Sequence, residues 1–118
     1  MAAGRHAEAI TALRKALSLD SSKLRTRNNL GFALAATEQD EAALRVFRAG
    51  GDAVAARSNL AMAQEIRGAI ATAKASYAAV LAADPDHLTA VEALRRLSRT
   101  PDKQTPTEVS SPPEEAPQ

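Results

Sequence analysis

The residue types that usually perform catalysis are few in this 118-residue chain and do not form catalytic patterns. His6 stands in the polar start of a predicted helix, and His87 follows Asp84-Pro85-Asp86 in a predicted turn, so both are typical of solvated side chains. The chain has no cysteine, no glycine-rich phosphate loop, no Ser-His-Asp order and no histidine pair at metal-ligand spacing. We therefore expect a protein that is not an enzyme and that uses no cofactor and no metal.

Two asparagines a fixed distance apart supply a different chemistry, that of paired hydrogen-bonding groups. The segment RNNLG at 27–31 returns as RSNLA at 57–61, which places Asn29 and Asn59 at the same position of a repeated unit. An asparagine amide both donates and accepts hydrogen bonds, so the pair can hold an extended chain whatever its side chains. A structural bond from helix to helix is an equally good explanation of these asparagines.

The charge balance argues against nucleic acid or an anionic membrane as the partner. The chain has 15 basic and 14 acidic residues, a formal charge of +1. Arg95, Arg96 and Arg99 form a charged face with no interleaved aromatic residues to stack on bases. No segment approaches the roughly 20 apolar residues of a membrane span, and the start does not resemble a signal peptide. We expect a cytoplasmic protein as written, or a periplasmic or membrane-associated one if an upstream signal has been lost.

Composition and periodicity predict an all-α domain. Hydrophobic residues make up 45% of the chain but aromatic residues only 3%, which favours close-packed helices over a sheet. Apolar residues at steps of three and four predict six helices, near residues 5–19, 23–36, 39–49, 53–66, 69–82 and 88–98. From residue 100 the composition changes to Pro, Ser, Thr, Glu and Gln. The expected organisation is a helical domain over residues 1–99 and a disordered tail over 100–118.

Local signals predict how several helices begin and end. Ser21 or Ser22 is expected to cap the second helix and Asp52 the fourth. Gly50-Gly51 is expected to end the third helix through a left-handed residue, and Arg67-Gly68 is expected to end the fourth. Gly50-Gly51-Asp52 is therefore interpreted as a helix boundary and not as an anion site.

A repeated pattern of small, large and small residues identifies the architecture. Ala9, Leu13 and Ala16 are followed 34 residues later by an equivalent set, and that set returns after a further 30 residues; the later sets are Ala43, Phe47, Gly50 and Ala73, Tyr77, Val80. A 34-residue period is that of tetratricopeptide repeats. The chain resembles that family over residues 4–99, on the NLG of 29–31, the Ala and Phe of 43 and 47, Gly68 and the Asp-Pro of 84–85. The resemblance implies a solenoid of antiparallel helical hairpins: a half repeat, two full repeats and a C-terminal capping helix.

The sequence also departs from the family pattern. Glu38 stands where glycine is usual, Gly50 stands where alanine is usual, and the turn after Gly50 is four residues short. Arg27 and Arg57 occupy a place that usually holds a large apolar residue. We expect looser anchoring of these units than in the family consensus.

In the family, the first helix of each hairpin lines a concave groove that binds a peptide or a helix. The resemblance therefore implies a non-enzymatic protein–protein interaction scaffold whose partner is another protein. The resemblance implies that Asn29 and Asn59 lie in the groove, because in the family the asparagine just before Leu-Gly often bonds a peptide backbone. Helical spacing places six further residues on the same side: Arg25, Asn28, Phe32, Ser58, Met62 and Ile66. Only Arg25 and Arg96 are placed to clamp a C-terminal carboxylate, so the ligand of the chaperone-binding members is not expected.

Two further expectations concern the setting of the protein. The RNNLG wording and the short middle unit are similar to tetratricopeptide proteins of bacterial pilus assembly and secretion, including the tight-adherence type. The alternative is an assembly element, a piece of a longer repeat protein, that docks on itself or on an upstream array. This alternative is considered because the first helix has no predicted helix before it to pack against. Leu13, Leu17 and Leu19 are then expected to be partly exposed.

Overall fold

Six α-helices follow one another in the computed structural model, which describes residues 2–99. They are α1 (Ala2–Leu19), α2 (Leu24–Ala36), α3 (Asp40–Ala49), α4 (Ala53–Arg67), α5 (Ile70–Ala83) and α6 (Leu88–Arg99). No strand occurs within that range. The all-α fold class is confirmed, and the tail predicted at residues 100–118 lies outside the described residues.

The helices stack in the order of the chain. Connections of two to four residues turn each helix back against the one before it, and every consecutive pair is in contact. In addition, α2 packs directly on α4. The hairpins α2–α3 and α4–α5 are therefore stacked through their first helices, with α1 before them and α6 after them.

Small side chains at the helix contacts build two adjoining hydrophobic clusters. Ala35, Ala43 and Ala56 are fully buried in the first cluster, and Ala61, Ala73 and Ala90 in the second. The largest fully buried side chains are Phe47, Leu34, Tyr77 and Val80. The alanines predicted from the repeat thus allow close approach of helix axes, while one aromatic ring fills each hairpin.

Gly31 is required by the packing of Phe47. A Cβ atom added at Gly31 would lie 2.7 Å from Phe47 Cδ1 and closer still to the edge of the ring. The ring cannot move away easily, because Phe47 is buried and meets Phe32 edge to face at a centroid distance of 5.2 Å. This contact explains the glycine of the RNNLG segment.

Two of the predicted helix boundaries are confirmed. The Asp52 side chain accepts a hydrogen bond of 2.7 Å from the backbone N–H of Ala55 and caps α4. Gly68 ends α4 in the left-handed conformation, with φ of +94°.

The predicted serine cap of α2 is wrong. Lys23 holds the cap position and makes no capping bond with its side chain. Ser22 instead donates to Asp20 Oδ1 from both its N–H and its hydroxyl, at 3.0 and 2.6 Å. Asp20 therefore engages Ser22 in the turn before α2, and the serine hydroxyl does not cap the helix.

The reason predicted for Gly50 is also wrong, because its φ of −98° is not left-handed. A Cβ atom at this position would lie 2.7 Å from Arg27 Cδ and 3.0 Å from Leu24 Cδ1. With glycine here, these two flexible side chains of α2 approach the end of α3, and an added methyl group would make them shift. The constraint is tertiary contact and not backbone conformation.

The shortening of the middle unit falls mainly in α3 and not in the turn after it. α3 has 10 residues and α5 has 14, whereas the connections that follow them, 50–52 and 84–87, are of similar length. The prediction of a short turn is thus corrected to a short helix. Compared with α5, α3 lacks about one helical turn at its C-terminal end, and it stops beside the start of α4.

Glu38 occupies the connection between α2 and α3 with φ of +65°, and it is the one non-glycine residue with positive φ between residues 2 and 99. A left-handed conformation costs roughly 1–2 kcal/mol for a residue with a Cβ. The presence of Glu38 where the family usually has glycine therefore strains the backbone at this position.

We predict that Gly31→Ala lowers the free energy of unfolding by about 1–2 kcal/mol, because the added methyl group overpacks the Phe47 ring. Gly4→Ala is the matched control, since no atom lies within 4 Å of its added Cβ. Urea unfolding followed by circular dichroism measures both variants. Equal effects of the two substitutions would contradict the packing role of Gly31.

We predict that Glu38→Gly raises the free energy of unfolding by about 0.5–1 kcal/mol through relief of the strained backbone. Glu41→Gly, in the first turn of α3, is the control and should lower it by about 1 kcal/mol. Thermal unfolding compares the two. Destabilisation by both glycines would show that position 38 carries no strain.

Candidate peptide-binding groove

A recess of about 500 Å³ opens between the last turns of α2 and α4, and is called the apolar recess below. Its lining consists of His6 from α1, Phe32, Ala33 and Ala36 from α2, and Ala63, Ile66 and Arg67 from α4. Most of this lining is hydrocarbon. The apolar recess is therefore suited to an apolar side chain of a ligand.

Large apolar side chains continue this surface along α4. Ile66 is 74% exposed and Met62, one turn earlier, is 37% exposed. Phe32 on α2 is half-buried, with its ring against Phe47. Phe32, Met62 and Ile66 thus form one apolar strip across the two first helices.

The two predicted asparagines lie one helical turn towards the N-terminus from the apolar recess, Asn29 on α2 and Asn59 on α4. Asn29 is exposed and Asn59 is half-buried, and each precedes recess residues by four positions, namely Ala33 and Ala63. Within residues 2–99, neither asparagine side chain makes a hydrogen bond. The helix-to-helix bond considered as an alternative is not formed there, and both amides can bond a ligand.

The other predicted groove residues divide into accessible and buried positions. Arg25 is exposed at the start of α2, two turns from Phe32, and Asn28 is half-buried. Ser58 is 5% exposed and lies inside the helix stack, so its hydroxyl does not reach the groove surface. From here on, "the groove" means the apolar recess together with Asn29, Asn59 and Met62.

His6 and Arg67 line the apolar recess but were not assigned to the groove from the sequence. His6 belongs to α1, and its approach to α4 depends on the angle at which α1 packs, for which the sequence has no signal. Arg67 directly follows Ile66 and was interpreted only as a helix end. The sequence predicts the position of Arg67 in the helix but not its contacts with Ala35 and Asp40.

A hydrogen-bonded network holds the wall of the apolar recess. Arg67 Nη1 donates to the Ala35 carbonyl at 2.6 Å and to Asp40 Oδ1 at 2.9 Å. Gln64 Nε2 donates to Asp40 Oδ2 at 2.9 Å, and Ser76 Oγ donates to Gln64 Oε1 at 2.6 Å. Gln64 is only 3% exposed, so these bonds satisfy a buried amide. The network joins α2, α3, α4 and α5.

The network lowers the pKa of the Asp40 carboxyl. Partial burial acts to raise the pKa of its carboxyl, but the bonds from Arg67 and Gln64 and the charge of Arg67 outweigh that effect. The pKa of Asp40 therefore lies below its ordinary value of 3.8. A lowered pKa contributes stability above the unfolded-state value, and that contribution is lost as the pH falls through the folded-state value.

A second polar cluster joins α4, α5 and α6. Tyr77 Oη donates to Glu65 Oε1 at 3.1 Å, and the Arg96 guanidinium forms an ion pair with the same carboxylate. Burial, followed by the charge and hydrogen bond of Glu65, raises the pKa of Tyr77 to about 12. Arg96, one of the two residues considered for carboxylate binding, is thus already paired with an acid.

Residues 2–99 contain neither a membrane-spanning helix nor a cluster of metal-ligating side chains. No helix in this range is long and apolar enough to cross a bilayer. The same range contains no group of three or more His, Asp or Glu residues arranged to hold a metal ion.

A family model described as tetratricopeptide repeat matches residues 1–23, which cover α1 and the whole connection to α2. No curated protein and no solved structure matches the chain significantly. The match supports the tetratricopeptide resemblance, and this fold generally serves as a protein–protein interaction module.

We predict that Asp40→Asn lowers the free energy of unfolding at pH 7 by about 1–2 kcal/mol, because the ion pair with Arg67 is lost and the uncharged amide has only one acceptor oxygen for Arg67 and Gln64. The deficit relative to the unsubstituted chain should shrink as the pH falls through the lowered pKa of Asp40. Urea unfolding at several pH values measures it.

Asp52→Asn is the matched control, because asparagine caps a helix about as well as aspartate. It should leave stability nearly unchanged at every pH. The role of the network would be contradicted if Asp40→Asn lowered the free energy of unfolding no more than Asp52→Asn does, or lowered it equally at every pH.

Proposed function

We propose that this chain is a non-enzymatic interaction module that binds a segment of another protein in the groove between α2 and α4. The observation that carries the proposal is the apolar recess with two unpaired asparagines one turn before it. In this arrangement an apolar side chain of the segment enters the recess, and Asn29 and Asn59 bond its backbone. The segment can be extended or helical, because both forms present side chains from one face.

The size of the groove indicates reversible binding. One buried leucine-sized side chain contributes about 1.5–3 kcal/mol, and each hydrogen bond adds about 1 kcal/mol. Association costs several kcal/mol or more in lost freedom. A single apolar residue is therefore expected to bind only weakly, with a Kd of about 1 mM or higher, and tighter binding requires a segment long enough to contact Met62 as well as the recess.

The sequence resemblance supports a more specific proposal, that the partner belongs to a bacterial pilus-assembly or secretion apparatus. It rests on the RNNLG wording at residues 27–31 and on the shortened α3. These features concern the kind of assembly and do not change the binding chemistry proposed for the groove.

Self-association through α1 is the alternative proposal, and one observation favours it. Leu19 at the end of α1 is 78% exposed. However, Leu13 and Leu17 pack against the first hydrophobic cluster. Both remain partly exposed, as the sequence predicts, and the groove is the better supported site because it combines an apolar recess with unpaired asparagines.

Capture of partners from a bacterial lysate tests the proposed function. The full chain is immobilised beside the Asn29→Ala/Asn59→Ala double variant and an Ile66→Ser variant. We expect at least one protein to be captured by the unsubstituted chain and lost from both variants, because they remove the backbone bonds and the apolar contact respectively.

Leu88→Ser is the matched control, since Leu88 is 67% exposed on α6 and outside the groove. It should keep the captured protein. Equal capture by all four proteins would refute the groove as the binding surface.

A further inference from the structure

A second recess, of about 230 Å³, lies where the end of α3 meets the start of α4. It is called the arginine notch and is lined by Leu44, Arg45 and Arg48 of α3 and by Ala53 and Arg57 of α4. α3 is four residues shorter than α5, so it stops beside the first turns of α4. The shortened unit noted in the sequence therefore creates this recess.

The three guanidinium groups of the arginine notch have no partner among the described residues. Arg45, Arg48 and Arg57 are all exposed, and none makes an ion pair or side-chain hydrogen bond within residues 2–99. Arg27, the equivalent of Arg57 in the preceding unit, donates to the Ser21 carbonyl at 2.6 Å. The repeat thus anchors one of these two arginines and leaves the other available.

Nearby acidic residues do not neutralise this charge. Glu41 precedes Arg45 by one helical turn, but the two form no ion pair. The Asp52 carboxylate accepts the N–H of Ala55 and serves as the cap of α4. Three like charges on a shared recess repel one another, so an anionic ligand would relieve the repulsion.

We propose that the arginine notch binds an acidic segment of a protein partner. Guanidinium groups pair with carboxylates through two parallel hydrogen bonds, which gives directed recognition as well as attraction. Leu44 and Ala53 provide a small apolar floor between the charges, suited to one aliphatic side chain of the segment. The fitting sequence therefore has acidic residues on both sides of an aliphatic one.

The lining favours a peptide over a nucleic acid. No aromatic side chain lines the notch, so bases have no stacking surface. Arg57 precedes Arg67 of the apolar recess by ten residues on α4, a separation of about 15 Å along the helix. The notch and the groove are thus separate surfaces, and each can be tested without the other.

Fluorescence anisotropy with a synthetic probe tests the proposal on the full chain. The probe is a labelled peptide of two glutamates, one leucine and two glutamates, and the comparison peptide has glutamines in place of the glutamates. We expect binding of the acidic peptide only, and an affinity about tenfold weaker for the triple variant Arg45→Gln/Arg48→Gln/Arg57→Gln.

The triple variant Arg14→Gln/Arg95→Gln/Arg99→Gln is the control, because it changes the net charge equally outside the notch. It should reduce affinity by less than about twofold. Equal loss in both variants would overturn the proposal in favour of diffuse charge attraction. Tighter binding of a thymidine oligonucleotide than of the peptide would also overturn it.

The chain's own acidic residues at 102, 108, 114 and 115 are a competing occupant. Replacing Glu108, Glu114 and Glu115 by glutamine tests this possibility. An unchanged affinity for the probe supports an external partner. An affinity raised about tenfold would overturn that assignment, because it would show that the tail fills the notch.

Discussion

The carboxylate of Asp40 is the point on which the stacking of the two hairpins depends. It accepts hydrogen bonds from Gln64 and Arg67, and Arg67 reaches on to the carbonyl of Ala35. Small alanine contacts elsewhere are apolar and weakly directional, so they do not by themselves determine how α4 lies on α2 and α3. The directed bonds at Asp40 fix that relation, and with it the wall of the apolar recess.

Much of the fold could be predicted from local sequence. The spacing of alanines with Phe47 and Tyr77 gave the helices to within about three residues at each end, and Asp52 gave a correct cap. The predictions were wrong where contacts with other side chains determine how a helix begins or ends. Gly50 lies against side chains of α2, and Ser22 is engaged by Asp20, so neither followed the usual rule for its residue type.

The candidate site was predictable only in part. Phe32 and Ile66 line the apolar recess as helical spacing implied, but Ser58 is buried although Asn59 beside it is not. Neighbouring helical positions point about 100° apart, so a small rotation of α4 decides which of them faces the groove. His6 could not be found from sequence, because it reaches the recess through the packing of α1.

NMR spectroscopy with a minimal ligand tests the groove most directly. N-acetyl-leucine N-methylamide carries one apolar side chain between two peptide groups, and it can be titrated into the full chain labelled with ¹³C and ¹⁵N. The account predicts saturable shifts of the Ile66 and Ala36 methyl signals and of the Asn29 and Asn59 side-chain amides. Saturable shifts confined to α5 and α6, or none at all, would contradict it.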